Sequence, residues 1–371
     1  MANSHDLSAQ WASRPADQRF LSIATLHAHN VAKRERAIEK GGALDHMAVR
    51  ADDQRGVVLF DPKSTGSGAA LNHWAFGQLA SRVGAPAGYL RELPPALAAI
   101  PLQWSLEHAR EDGKLLLRAD MTRQQAETSG RARQWTVDAI TSDSYGRIFD
   151  AELTEALQQN LDLSVWKVPS ASYASKNPKR ATTLYASDRD CFVCLVDDQH
   201  PITVPGTGEN EVLFRGLIAR NSEVGAATLE LKTFLYRYIC DNRIIWGQQD
   251  VQEIRIRHTS GGPMRFVREA KPALEAYLTS GTAQVVAGIK AASAKEVGKS
   301  EKDVTDWLKA RGFTTGQSKR AVELASLEPG VNPRSIWGVV QGLTAQAHEV
   351  PFGDERLDLE VKAGKLMSLV A

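Results

Sequence analysis

The chain has 371 residues, 43% of them hydrophobic and 24% charged, with a formal net charge of +1. These are ordinary values for a soluble globular protein, and the length allows two domains or one large core. A balance so near zero excludes a global basic field, so any nucleic-acid surface has to be a local patch with acids placed elsewhere.

Asp354, Glu355, Asp358 and Glu360 crowd the far end, away from a basic middle. Three cysteines offer no disulfide framework and suit a reducing compartment. The opening MANSHDLSAQWASRP lacks the apolar core of a signal peptide, and no apolar run approaches the ~18 residues of a membrane span. A cytoplasmic protein with no membrane partner is the expectation.

In chain order, apolar spacing predicts a helix over Arg19 to Lys40, with Leu21, Ala24, Ala28, Val31 and Ala32 on one side and Gly41-Gly42 ending it. GVVLF at 56–60 reads as a strand, and Ser64 to Gly68 as a flexible linker. A helix follows over Leu71 to Val83, then a short one reaching Arg91 before Leu93-Pro94-Pro95. LLLRA at 115–119 and WTVDAI at 135–140 read as strands, and Phe149 to Gln159 as a helix capped by Asp150.

The middle third predicts strands at 163–168, 191–196 and 213–219, then a helix over Leu229 to Asp241. Loops too short for helical crossovers make the sheet antiparallel. Beyond Gly262-Pro263 come amphipathic stretches at Met264–Tyr277, Ala283–Ala294, Glu301–Lys309, Gln317–Ala325 and Arg334–Ala347. The fold class is therefore α+β: a central antiparallel sheet with a strand–strand–strand–helix core and a helical C-terminal region. Three parts are expected, 1–150, 151–262 and 263–371.

Motifs exclude more than they assign. Cys191-x-x-Cys194 lies in a strand, where residues three apart face opposite ways, and reads as two buried structural thiols. His27 and His29 sit about 200° apart on a helix and cannot share a metal. No phosphate-binding loop occurs, and Gly66-Ser67-Gly68 matches a nucleophile elbow only in part. No catalytic residue, metal ligand or cofactor is expected. Asn221-Ser222-Glu223 reads as a turn held by the asparagine side chain, with a polar functional site, Asp143 included, as the other reading.

The basic residues carry the functional expectation. Val251 to Lys271 holds five Lys/Arg against two acids, and Arg255 and Arg257 share one face of a strand. Lys176, Lys179 and Arg180, then Arg215 and Arg220, then Lys232 and Arg237 lie on neighbouring segments. A solvated charged face is the bland account of such clusters. Converging on one groove, the same nine cations would neutralise phosphates while rings stack bases.

Three stretches carry a family resemblance: WTVDAITSDSYGRIFDAELTEAL at 135–157, GLIARNSEVGAATLELKTFLYRYICDNRIIWG at 216–247 and SIWGVVQGLTAQAHEV at 335–350. They resemble DUF932, a domain-of-unknown-function family common in phage and plasmid genomes. Gln346 and Ala347 depart from the more aromatic and acidic ending of that pattern. The resemblance implies mobile-element DNA replication, recombination or maintenance. The expected strand–strand–strand–helix order is similar, in topology only, to phage single-strand annealing proteins. The resulting expectation is a non-enzymatic single-stranded DNA-binding protein of a mobile element, promoting annealing as a homo-oligomer. The alternative is a host-modulating or protein-interaction protein that uses its helical third.

Overall fold

The computed structural model describes residues 15–109, 112–168, 182–205, 211–237, 243–244, 253–279, 282–328, 330–347, 349–350 and 353–370. The N-terminal part runs β1 (Arg19–Phe20), α1 (Ile23–Glu35), β2 (Ala37–Ala43), β3 (Ala48–Asp52), β4 (Gly56–Phe60) and β5 (Ala69–Leu71). Helices α2 (His73–Arg82), α3 (Ala87–Glu92) and α4 (Pro95–His108) follow, then β6 (Asp112–Ala119), α5 (Arg123–Ser129) and β7 (Trp135–Thr141). Strands β2 to β7 form a sheet in the order β2-β6-β7-β5-β4-β3, antiparallel except where β5 meets β7.

The expected helix over Arg19 to Lys40 is shorter than its apolar pattern. Ser22 Oγ accepts the Thr25 N–H at 3.2 Å and starts α1, which ends at Glu35. Beyond it, Ala37 to Ala43 pair with β6, Gly41 and Gly42 included. The ladder offered by β6 overrides the helical propensity of these residues. Nor is the buried stripe of α1 the expected one: Ile23, Leu26, Asn30 and Lys33 face inward.

The second sheet is built from α6 (Asp150–Asn160), β8 (Trp166–Lys167), β9 (Leu184–Ala186), β10 (Cys191–Val204), β11 (Glu211–Asn221), β12 (Leu229–Arg237), β13 (Arg243–Ile244) and β14 (Glu253–Ile256). Its strands run β1-β9-β10-β11-β12-β13 and pair antiparallel, with β8 also on β10 and β14 also on β12. The segment expected as a helix from Leu229 to Asp241 is strand β12 over its described residues. It lies between β11 and the pair β13/β14, with residues 229–235 buried on both faces, so no polar alternation marks it as a strand. Asp150 is the first residue of α6 rather than its cap; the capping acceptor is Glu152 Oε2, bonded to the Phe149 N–H at 3.3 Å.

One face of this sheet packs Val193, Leu217 and Leu231 under α1, α6 and the segment Phe266–Thr279, which runs as a π-turn into α8 (Lys271–Thr279) after the single turn α7 (Gly262–Arg265). At the far end of the sheet, Val204, Leu213 and Leu235 join a second core with the C-terminal helices. These are α9 (Ala283–Ala294), α10 (Glu301–Lys309), α11 (Thr315–Leu327), α12 (Ile336–Ala347) and α13 (Gly353–Gly364). The opposite face carries Tyr185, Phe192, Cys194, Phe214, Ile218 and Phe234. Cys191 and Cys194 are both free, buried and on opposite faces, as their spacing requires.

Candidate nucleic-acid face and buried ion cluster

Register in β10 to β14 decides which cations meet, because residues directly opposite share a face. Arg220 stands opposite Glu230, and Glu230 opposite Arg255, making one cross-strand row. Lys232 lies beside it on the same face. Glu230 binds both neighbours, Lys232 Nζ at 3.0 Å and Arg255 Nε at 3.1 Å. Despite burial, which opposes it, the Lys232 and Arg255 charges hold the Glu230 carboxyl below its ordinary range. Lys232 is buried, whereas the Arg255 side chain is 64% exposed. Arg257, just past the end of β14, is exposed as well.

The other expected contacts separate from this row. Arg215 alternates onto the helix-covered face, with Nη1 bonded to Tyr277 O at 3.5 Å and Nη2 3.7 Å from Asp197 Oδ2. A one-residue step in a strand reverses the face, so Arg215 and Arg220 cannot share a groove. Arg237 ends β12 opposite Leu213. Lys176, Lys179 and Arg180 lie outside the described residues.

The turn between β11 and β12 gathers a different set of charges. Asn221 ends β11 and the turn runs from Ser222 to Gly225, closed by the Gly225 N–H on Ser222 O at 3.4 Å rather than by the asparagine side chain; Asn221, Ser222 and Glu223 are all buried. Glu223 Oε2 accepts from Arg147 Nε at 2.9 Å and Nη2 at 2.5 Å, while Oε1 accepts the Asp150 N–H at 2.9 Å. Lys33 Nζ reaches Asp150 Oδ2 at 3.1 Å and lies 3.7 Å from Glu223 Oε1. Asn221 Nδ2 donates to Asp150 Oδ1 and to Ile148 O, each at 2.8 Å. The polar set is thus completed by Asp150; Asp143 is exposed and stands apart.

Electrostatics in this cluster follow from burial. Desolvation first, then the neighbouring Glu223 charge, push Asp150 up to about 7 against the pull of Lys33. Glu223 goes the other way: against desolvation, Lys33 and Arg147 hold it at about 2. The two carboxyls raise the Lys33 ammonium despite its burial. Tyr145, its phenol raised chiefly by burial, donates to Ser222 O at 3.2 Å and stacks on His258 at 5.3 Å.

The cluster also ties the two sheets together. Val224, one residue on, packs against Leu116 and Ala139 of the first sheet. Trp74 Nε1 and Gln78 Nε2 donate to its carbonyl at 3.0 and 3.2 Å. Lys33 and Arg147 were missed by pattern reading, yet Lys33 had a signal. It continues the inward spacing of Ile23, Leu26 and Asn30, where a cation requires a partner. Among the described residues, no group of three His, Cys, Asp or Glu could hold a metal ion.

This architecture is an α+β protein in which a buried charge cluster joins an antiparallel sheet to a second, N-terminal sheet. Residues 142–310 match the family model described as Domain of unknown function (DUF932). The match takes in Arg147, Asp150 and Glu223; their partner Lys33 comes from outside it. No curated protein and no solved structure matches the chain. Among the described residues, no helix is long and apolar enough to cross a membrane.

Proposed function

We propose that this is a cytoplasmic, non-enzymatic protein of a mobile element that holds single-stranded DNA and promotes annealing as an oligomer. One observation carries the reading: Arg220, Lys232 and Arg255 share the sheet face opposite α1, α6 and α8, with Glu230 between Arg220 and Arg255 and Glu253 opposite Lys232. Arg255 and Arg257, exposed at the edge, meet phosphates first, and Arg220 stands two strands in, along the same row as Arg255. Lys232 is held too deep to reach a strand and fixes Glu230 instead. Contact through three cations releases counterions without reading bases, leaving the bases free to pair.

The test is anisotropy of a labelled thymidine oligonucleotide titrated at several salt concentrations. Three phosphate contacts on a single strand give a log–log salt slope of about −2. Arg255→Glu combined with Arg257→Glu should weaken binding more than tenfold while the thermal transition holds. No binding at low salt ends the proposal.

A second reading, interaction with protein alone, is favoured by α4. Leu97, Ile100 and Trp104, at 55%, 68% and 62% exposure, make an apolar stripe on that helix, within the N-terminal part rather than the helical third. With Ile100 between the other two, antiparallel pairing with α4 of a second copy places Leu97 against Trp104 in both directions, the geometry of an isologous dimer. Light scattering decides it: Trp104→Glu halves the mass of a dimer and leaves a monomer unchanged.

A further inference from the structure

The N-terminal sheet leaves part of its inner face uncovered. A cavity of about 290 Å³ lies there, floored by Leu59, Ala69, Leu117 and Val137 and walled by Trp135. Its lining includes nothing from α2 or α4, the helices that cover the rest of that face. The volume equals that of about ten liquid waters, yet the floor is apolar and offers water few partners.

The remaining wall is built rather than loose. Ser64 to Gly68, expected as a flexible linker, is tied down at both ends. Ser64 N–H donates to Asp61 O at 3.0 Å, and Gly66 N–H to Ser64 Oγ at 3.2 Å. Arg50 Nη2 donates to Ser67 O at 3.0 Å, and Arg55 Nη2 to Gly68 O at 3.2 Å. Gly68 has φ +75°, and a Cβ there would stand 2.7 Å from Leu59 O, so only glycine lets this segment close onto β4. The cavity is therefore preformed.

One cation, exposed to solvent, stands at its rim. Lys40 pairs with Leu115 across β2 and β6, which places it on the apolar face, and it lines the cavity. It makes no ion pair among the described residues. Asp61, the acid of the lining, spends Oδ1 on the Lys63 N–H at 2.9 Å. Apolar walls with a few convergent polar groups are the usual form of a small-ligand site.

We propose that this cavity binds a small apolar acid, an aromatic or branched aliphatic body carrying one carboxylate, with the body on Leu117, Val137 and Trp135 and the carboxylate at Lys40. This goes beyond the nucleic-acid reading and does not rest on it. Titration calorimetry with naphthalene-2-carboxylate, and with naphthalene-2-methanol as its uncharged counterpart, tests it on the full chain.

The expected result is saturable one-to-one binding, with the acid bound at least tenfold tighter than the alcohol. Lys40→Met should reduce that preference to within about twofold and leave the alcohol unchanged. Ile38→Trp, at a 43% exposed position of the lining, should weaken both. Both substitutions lie on an edge strand, and an unchanged thermal transition confirms folding. Equal binding of the two compounds, no saturable heat at millimolar concentration, or binding indifferent to both substitutions overturns the proposal. Oligonucleotide affinity stays the same in either variant, so the two readings fail separately.

Discussion

Arg147 donates two hydrogen bonds to one oxygen of Glu223, from Nε at 2.9 Å and from Nη2 at 2.5 Å, with both side chains at most 2% exposed. The other Glu223 oxygen takes the Asp150 N–H and faces Lys33. Removing the carboxylate charge leaves two cations desolvated beside a single acid. Glu223→Gln is therefore expected to lose about 3–5 kcal/mol of stability. Asp143→Asn, at an exposed position of the preceding loop, should change it by less than about 0.5 kcal/mol. Urea unfolding of both variants against the parent checks the contrast.

The same cluster sets a pH dependence with two limbs. Glu223 titrates at about 2 in the fold and has an ordinary value of 4.5, so its contribution is complete above 4.5 and fades as pH falls toward 2. Asp150 behaves oppositely, at about 7 in the fold against an ordinary 3.8. The unfolded chain gives up that proton first, so stability from this group falls as pH rises from about 4 to 7 and then levels. Denaturation midpoints from pH 3 to 8 should peak between the limbs, and Asp150→Asn should remove the decline on the alkaline side.

How much of this was readable depended on whether a segment's partners were local. Ala283–Ala294 and Glu301–Lys309 fold as helices over the expected residues, because amphipathic spacing and, at Ser300, a capping box act within one turn. Leu229 to Arg237 misled, since β11, β13 and β14 supply its hydrogen bonds and burial on both faces hides the period of two. Of the expected cations, Arg220 and Arg255 share one face of the sheet and Arg215 lies on the other. Register distinguishes them, and register needs the strand β12 that the sequence pattern concealed. The ion cluster joins residues 33, 147, 150 and 223. No local pattern spans such separations.

Lys232 and Arg255 bind the same Glu230 from different depths, and substitution should separate their roles. Arg255 is mostly exposed, so Arg255→Met costs at most about 1 kcal/mol of stability. Lys232 is buried, and Lys232→Met leaves part of the Glu230 charge uncompensated at greater cost. Oligonucleotide affinity should follow the reverse order, falling with Arg255→Met and holding with Lys232→Met. Thermal melts beside anisotropy titrations read both orders.

Cys191 and Cys194 should be chemically silent in the folded protein. Both are buried, and desolvation first, then the nearby Asp150 charge, raise the Cys191 thiol well above its ordinary value. In a Cys240→Ser background, a disulfide reagent should titrate no thiol natively and two in denaturant. One fast-reacting thiol in the native state would mean that a face of the sheet opens.

Gly342 sets the spacing of α11 and α12. A Cβ built there would lie 1.9 Å from the Ala321 carbonyl oxygen and 3.1 Å from Ala325 Cβ. The obstacle is helix backbone, so no side chain can swing aside. Two effects oppose each other in Gly342→Ala. Helix propensity favours alanine by about 1 kcal/mol, while overpacking a tight interface costs about 1–3 kcal/mol. With backbone in the way the packing loss wins, and the variant should melt lower. Gly88 in α3 is the control, with nothing within 4 Å of the added atom. There propensity acts alone, and Gly88→Ala should raise the midpoint.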